Sequence, residues 1–395
     1  MLRVLTLSTL FPDASRPNFG IFVERQTLAL AEAGAAVTVV APVGIPPWPL
    51  SLHPRYRALA GLPEHERWKG VEVYRPRFLN LPGTGGRFHA RMVARAVAPV
   101  LAAIRTAFPF DLIAAEFFYP GGPAAVALGR RFGVPVSITA RGSDIHMWGK
   151  APGVAGQVIA AGRAAEGMVA VSEAMRDDMI ALGMPGERIR PIVTGIDLDR
   201  FAPRDRTAAK AAAGVSGPLV VSLGALIPLK GHDIVIDAVA GLPGVNLWIA
   251  GQGPEHARLE AKIARMGLGG RVRLLGGVPA DEVAALLAAA DVMALASERE
   301  GLANAWFEAM ASGTPIAIPD VGGARQVLRG HDAAGRLAAR TPRGFAEAIA
   351  GLLAEPPEAK LVRAAVEPYS WAAHSAHLIQ HYSRLIGARG ISQAA

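Results

Sequence analysis

Three side chains of this 395-residue chain have types that suit a ligand carrying both phosphate and hydroxyl groups: Lys230, Glu300 and Glu308. A lysine ammonium at a turn is a compact cation able to meet phosphate. Carboxylates accept hydrogen bonds from hydroxyls, and amides freed at a helix start hold anions. Glu300 lies in the polar turn Ser297 to Ala303, between an apolar run, Val292 to Ala296, and a helical stretch from Trp306 to Ala311 that carries Glu308. On spacing alone, a solvated loop glutamate, an ordinary helix glutamate and a surface lysine fit as well. Gly224 opens the turn that ends at Lys230. Gly251-Gln252-Gly253-Pro254 follows another apolar run but lacks the third glycine of a dinucleotide fingerprint. In the first half of the chain, Asp144 and His146 within Arg141-Gly142-Ser143-Asp144-Ile145-His146 could orient a hydroxyl or act as a base. A capping carboxylate and a structural histidine are the plain alternatives. Spacing assembles no Ser-His-Asp arrangement and no metal-ligand cluster.

The elements that must hold these residues alternate along the chain. Val4 to Leu7, Val37 to Val40 and Val71 to Tyr74 read as strands, with a helix over Ile21 to Ala33, while residues 42–70 read as irregular. Strands at 112–115, 136–139, 168–171 and 189–193 then alternate with helices at 123–132, 152–162 and 172–182. A charged stretch, Leu198 to Arg206, interrupts the pattern. A second set follows, with strands at 219–223, 246–250, 272–275, 292–296 and 316–318 between helices. Thr341 followed by Pro342 reads as a helix start, and Trp371 to Ile386 as a terminal helix. The expected class is α/β, with two doubly wound Rossmann-like domains facing across a cleft. Their expected bounds are 1–197, 198–370 and a C-terminal helix and tail at 371–395.

Cysteine is absent, which excludes disulfides, thiolate metal sites and a cysteine nucleophile. The formal net charge of +8 makes an anionic partner plausible. No recognition module points to nucleic acid, and none is expected as a partner. Met1 to Leu10 reads as a first core strand rather than a signal peptide, and no run is long enough to span a bilayer, so a cytoplasmic protein is expected, soluble or peripheral at a membrane. Between Glu72 and Asp111 there is no acidic residue, while Val93, Val97, Val100, Leu101 and Ile104 recur at helical spacing and set Arg87, Arg91, Arg95 and Arg105 on the opposite side. Such a basic amphipathic helix over 87–105 either packs on a sheet with a solvated arginine face or meets anionic lipid headgroups.

Taken together, the motifs resemble the family 4 retaining glycosyltransferases of the GT-B fold over nearly the whole chain. The resemblance rests on Asn18 to Gln26, Ala140 to Asp144, Val171-Ser172-Glu173, Gly195-Ile196-Asp197, Lys230-Gly231, Ala250 to Pro254, and Glu300 through Asp320-Val321-Gly322-Gly323. The N-terminal and Arg-Gly-Ser-Asp motifs look most like a bacterial surface-polysaccharide branch that includes teichuronic-acid-type transferases. It implies a nucleotide-sugar donor, a glycan or lipid-linked acceptor, no cofactor and no metal. It also implies a terminal helix packing back on the N-terminal domain. Lys230 would neutralise the donor diphosphate, Glu300 would contact sugar hydroxyls and Glu308 the ribose. Gly301, Leu302 and Ala303 would lay their amides along phosphate and sugar, with Gly20, Gly224 and Gly251 also on the donor side. Asp144 would sit beside the transferred sugar or the acceptor, with Arg141, His146 and Tyr119 on the acceptor side. The chain departs from the pattern at Ala225, where the family often has Arg, and at Arg141, Thr194 and Gln326, where it has His, Asn and Glu. A nucleotide-sugar epimerase of the same fold would convert donor without an acceptor. A non-catalytic glycan- or nucleotide-binding protein of that fold would show no turnover at all.

Overall fold

The computed structural model describes residues 1–394, with side chains through 388, and divides into two compact units. One comprises residues 1–195 together with the helix from Trp371; the other comprises Ile196–Ser370, so the division falls two residues before the one expected at 197/198.

The first unit runs β1 (Arg3–Leu7), α1 (Ile21–Glu32), β2 (Ala36–Val40), β3 (Val43–Ile45), α2 (Pro54–Ala60), β4 (His65–Trp68), β5 (Val71–Tyr74) and β6 (Arg77–Leu79). It continues through α3 (His89–Ile104), β7 (Leu112–Glu116), α4 (Gly121–Phe132), β8 (Val136–Ala140), α5 (Ser143–His146), α6 (Ala155–Ala164), β9 (Gly167–Ala170), α7 (Glu173–Ala181) and β10 (Ile189–Pro191). Eight strands form a sheet in the order β10-β9-β8-β7-β1-β2-β5-β4, parallel except where β4 runs against β5. Every residue of β7 and β8 is buried, as a parallel sheet covered on both faces requires. The segment at 42–70, read as irregular, holds β3, α2 and β4. These are short elements of mixed burial whose apolar pattern is too brief to show a period.

In α3 the buried side chains are Ala90, Val93, Val97, Ala98, Leu101 and Ile104, and Arg91 and Arg95 face solvent. Each large side chain buried there stabilises the fold by roughly 1.5–3 kcal/mol. Arg87 precedes the helix. Arg105 caps it and lies over the rings of Phe110 (4.7 Å) and Phe132 (5.8 Å), so it is not part of the expected solvated face.

The second unit runs α8 (Arg206–Ala213), β11 (Leu219–Leu223), α9 (His232–Ala240), β12 (Asn246–Ala250), α10 (His256–Arg265), β13 (Val272–Gly276), α11 (Ala280–Ala289) and β14 (Val292–Ala294). Then come α12 (Asn304–Ala311), β15 (Ile316–Ile318), α13 (Ala324–Leu328), β16 (Gly335–Leu337), α14 (Pro342–Ala354) and α15 (Ala359–Ala364). Side-chain caps mark several starts: Asp205 accepts from Ala208 N (3.1 Å) and Thr341 from Gly344 N (3.1 Å). The all-parallel sheet has the order β13-β12-β11-β14-β15-β16, which is the 3-2-1-4-5-6 order of a Rossmann domain.

The terminal helix α16 (Trp371–Ala394) returns to the first unit and packs along α1, burying Leu378 and Tyr382 with Val4, Leu30 and Leu112.

Candidate functional site

In the second sheet the strand order reverses between β11 and β14, and ligands of open α/β sheets bind outside the carboxyl ends of the strands at such a point. The loops leaving those two strands carry Lys230 and Glu300. Lys230 Nζ donates to Glu300 Oε1 at 2.5 Å, with the side chains 20% and 11% exposed. Two residues seventy positions apart are thus one ion pair at the switch point.

The loops that carry the pair are tied to one another by backbone. Glu298 N donates to Leu229 O (2.8 Å) and Gly323 N to Gly301 O (3.0 Å), while Leu226 N donates to Gln252 O (2.9 Å). Glycine is required where they touch: a Cβ on Gly251 would collide with Gly224 O, and one on Gly322, at φ 53°, with Glu300 O. Beneath the first loop, His232 is buried at the start of α9. It shares a hydrogen bond of 3.0 Å between Nδ1 and the Ser222 hydroxyl and one of 3.3 Å between Nε2 and Ala225 O. Burial lowers its pKa to about 4, so it is neutral at physiological pH and braces the loop rather than adding charge. No motif pointed to His232; its place as the first residue of a helix after a glycine turn was the available signal.

Gly301 and Ala303 are buried and Leu302 is half-buried at the entry to α12, whose first turn has no side-chain cap. Trp306 N donates to Ala303 O (3.0 Å), and no side chain caps the amides ahead of it, a position that favours an anion. Glu308 stands one turn into α12, half-buried. Ala225 is exposed on the loop after β11. Arg325 is paired with Asp320, and the Arg340 side chain donates to Ala296 O at 2.9 Å.

In the first unit the residues expected to meet a ligand are engaged inside the protein. Asp144 is fully buried, and its carboxylate accepts from the amides of Phe118 (2.9 Å), Arg141 (3.0 Å) and Gly142 (2.8 Å). Burial raises its pKa while those donors pull it back. Those contacts tie together the loops after β7 and β8. Tyr119 is buried and donates to Gly86 O at 2.6 Å, and His146 Nε2 pairs with Asp178 at 2.8 Å. A Cβ on Gly20 would collide with the backbone of Leu10, which accounts for that glycine by packing at the start of α1.

Arg141 lies in a polar network that the sequence did not show. Its guanidinium pairs with the fully buried Glu116 at 2.6 Å and donates to Gln26 Oε1 (2.8 Å) and to the Thr194 hydroxyl (3.4 Å). Gln26 donates to Glu116 at 2.5 Å, and His374 of α16 joins at 3.0 Å to Gln26 Oε1. Thr194, one of the departures from the family pattern, is thereby a partner of Arg141, another. Phe117, between Glu116 and this region, holds a left-handed φ of 86°, a conformation that costs a bulky residue on the order of 1–2 kcal/mol. Among the described residues, no three metal-ligating side chains gather into a cluster.

Residues 20–200 match the model of the family described as Glycosyltransferase Family 4, and residues 203–367 that of Glycosyl transferases group 1. The chain belongs to these glycosyltransferases. It is 29% identical over 342 residues to TuaC of Bacillus subtilis (strain 168), a protein named for glycosyl transfer in teichuronic acid biosynthesis, covering 84% of each chain. The sucrose-phosphate synthase of Thermosynechococcus elongatus superposes on the glycosyltransferase with a TM-score of 0.82 at 21% identity, over 98% of this chain and 100% of that one. Anabaena HepE in complex with UDP-glucose gives 0.72 at 20% identity, over 97% and 100%. The fold is the GT-B class, built from two Rossmann-like domains.

Proposed function

We propose that this glycosyltransferase moves a sugar from a nucleotide-sugar donor to a glycan or lipid-linked acceptor during polysaccharide assembly in the cytoplasm, with retained anomeric configuration and without a metal. The observation that carries the reading is the Lys230–Glu300 pair at the switch point of the second sheet, beside the uncapped start of α12. The likeness to TuaC supports the polysaccharide setting, and the UDP-glucose complex of a GT-B neighbour supports the donor class.

In this reading the donor diphosphate takes the place of Glu300 beside Lys230. The released carboxylate accepts hydrogen bonds from hydroxyls of the donor sugar, so one ion pair is exchanged for two donor contacts. The amides of Gly301 to Ala303 and of the first turn of α12 lie along phosphate and sugar, Gly224 and Gly251 permit close backbone approach, and Glu308 takes the ribose hydroxyls. The bond between the anomeric carbon and the diphosphate oxygen breaks, and the acceptor oxygen bonds to the same carbon on the same face. The acceptor proton passes to a donor phosphate oxygen. Lys230 stabilises the departing nucleoside diphosphate, and the protein contributes position and charge rather than a nucleophile.

The test is acceptor-dependent release of nucleoside diphosphate. Lys230→Ala and Glu308→Ala each lower turnover by at least about a hundredfold while the melting temperature shows a folded protein, in line with the loss of a preorganised charge contact. Near-wild-type transfer by both variants would remove the site assignment. Conversion of donor without any acceptor would replace transfer by epimerisation.

A further inference from the structure

The charge of this protein is concentrated in one segment. Residues 73–165 contain eleven arginines and lysines and three acidic residues, so this segment carries the whole formal charge of +8 and the rest of the chain balances. The three acids do not reach the surface as free charges. Glu116 and Asp144 are fully buried, and Asp111 is paired with Arg3 at 2.6 Å. Arg87, Arg91, Arg95, Arg130, Arg131 and Arg163 are exposed. They belong to α3, α4 and α6 or to the residues flanking them, three helices that pack side by side on one face of the first sheet.

Between α3 and α4 lies a groove of about 630 Å³, floored by Ala90, Ala94, Ala98 and Leu128 and bordered by Arg91, Arg95 and Arg131. At the start of α3, Phe88 is 43% exposed. β6 packs against that helix and ends at Leu79, which is 44% exposed, and β6 pairs with β3, whose following loop exposes Trp48 (76%) and Leu50 (51%). A predominantly cationic face, with Glu166 exposed just beyond α6 and accepting from Val136 N, and with bulky apolar side chains at its edge, matches an anionic bilayer: arginines meet headgroup phosphates while Trp, Phe and Leu enter the headgroup–acyl boundary. Nucleic acid would use the same cations but gives no reason for the exposed leucines.

We propose that the α3–α4–α6 face, with the apolar edge at Trp48, Leu79 and Phe88, is a docking surface for the anionic headgroups of a lipid bilayer. This surface differs from the helix read in the sequence: Arg105 is held over Phe110 and Phe132, and Arg130, Arg131 and Arg163 join from neighbouring helices. The proposal is independent of the donor site, which lies in the other unit.

The test is co-sedimentation of the full chain with vesicles of phosphatidylcholine alone or with about a third phosphatidylglycerol. Each arginine near an anionic surface strengthens binding about fivefold, so the triple variant Arg91→Glu, Arg95→Glu, Arg131→Glu binds anionic vesicles at least a hundredfold more weakly. These side chains are solvated, and the variant keeps its melting temperature and its turnover on a soluble acceptor. Wild-type binding falls by tenfold or more as salt rises from about 0.1 M to about 0.5 M. A second variant, Trp48→Ser with Phe88→Ser, weakens binding to the same vesicles without changing its salt dependence. Equal binding to neutral vesicles, undiminished binding by the arginine variant, or equally tight binding of duplex DNA would overturn the proposal.

Discussion

Lys230 and Asp144 are both motif residues, and their surroundings differ. Lys230 is one-fifth exposed and pairs with a side-chain carboxylate, that of Glu300. Asp144 has no exposed surface and holds three backbone amides. Removing its carboxylate leaves those buried donors without an acceptor, at about 1–3 kcal/mol for each one that finds no replacement. Asp144→Ala therefore lowers the melting temperature by roughly 10 °C, since about 2–4 °C accompany each kcal/mol in a domain of this size. Its turnover, measured well below that temperature, falls less than that of Lys230→Ala. A variant that melts like wild type but has lost transfer would return Asp144 to the reacting groups. Arg141 belongs with Asp144 on this count, because its charge is spent on Glu116 inside the first unit.

At the scale of elements, α16 is fastened to the N-terminal sheet by neutral histidines. His374 shares hydrogen bonds with Val193 O (2.7 Å) and Gln26, and His381 with the Ser137 hydroxyl (3.0 Å). Burial lowers the pKa of each to about 4, with Arg141 and His377 adding to the effect at His374, and Arg384 and Arg190 at His381. The unfolded chain binds protons at these sites below about pH 6.5, whereas the folded protein resists them until about pH 4. Stability from this source is complete above pH 6.5 and is lost as pH falls through the interval. Urea unfolding at pH 5 compared with pH 7.5 shows a loss of a few kcal/mol. The double variant His374→Gln, His381→Gln reduces that dependence and leaves the share that comes from His232, and an unchanged slope would show that the fastening does not titrate. The same elements explain a limit of the sequence reading. Terminal-helix periodicity predicts a helix from Trp371, but nothing local indicates that its histidine reaches Gln26 more than three hundred residues away.

Across the whole molecule, the two-fold α/β plan was legible because long parallel-sheet strands are continuous apolar runs separated by helical periods, as at Leu219 to Leu223 and Leu112 to Ala115. Short elements such as β4 and α2 escaped, since four to seven residues of mixed burial carry too little pattern. The residues proposed for the donor could be singled out because they sit in loops at strand ends, where glycine and charged residues stand out from the core. The interior of the first unit was not, since Glu116, Gln26 and Tyr382 gain their meaning only from long-range proximity. The net charge was read as a total, while the grouping of exposed arginines on α3, α4 and α6 required knowing which charged side chains are buried or paired. The central claim is that Lys230 and Glu300 form a nucleotide-sugar site, and calorimetric titration with UDP, GDP and ADP and their sugars tests it most directly. The double variant Lys230→Met, Glu300→Gln removes both charges together and so avoids a stranded partner, which keeps the domain folded. The account predicts that the wild type binds at least one of these nucleotides and that the double variant binds it ten- to a hundredfold more weakly at an unchanged melting temperature. A wild type that binds none of them, or a double variant that binds as tightly as the wild type, would contradict it.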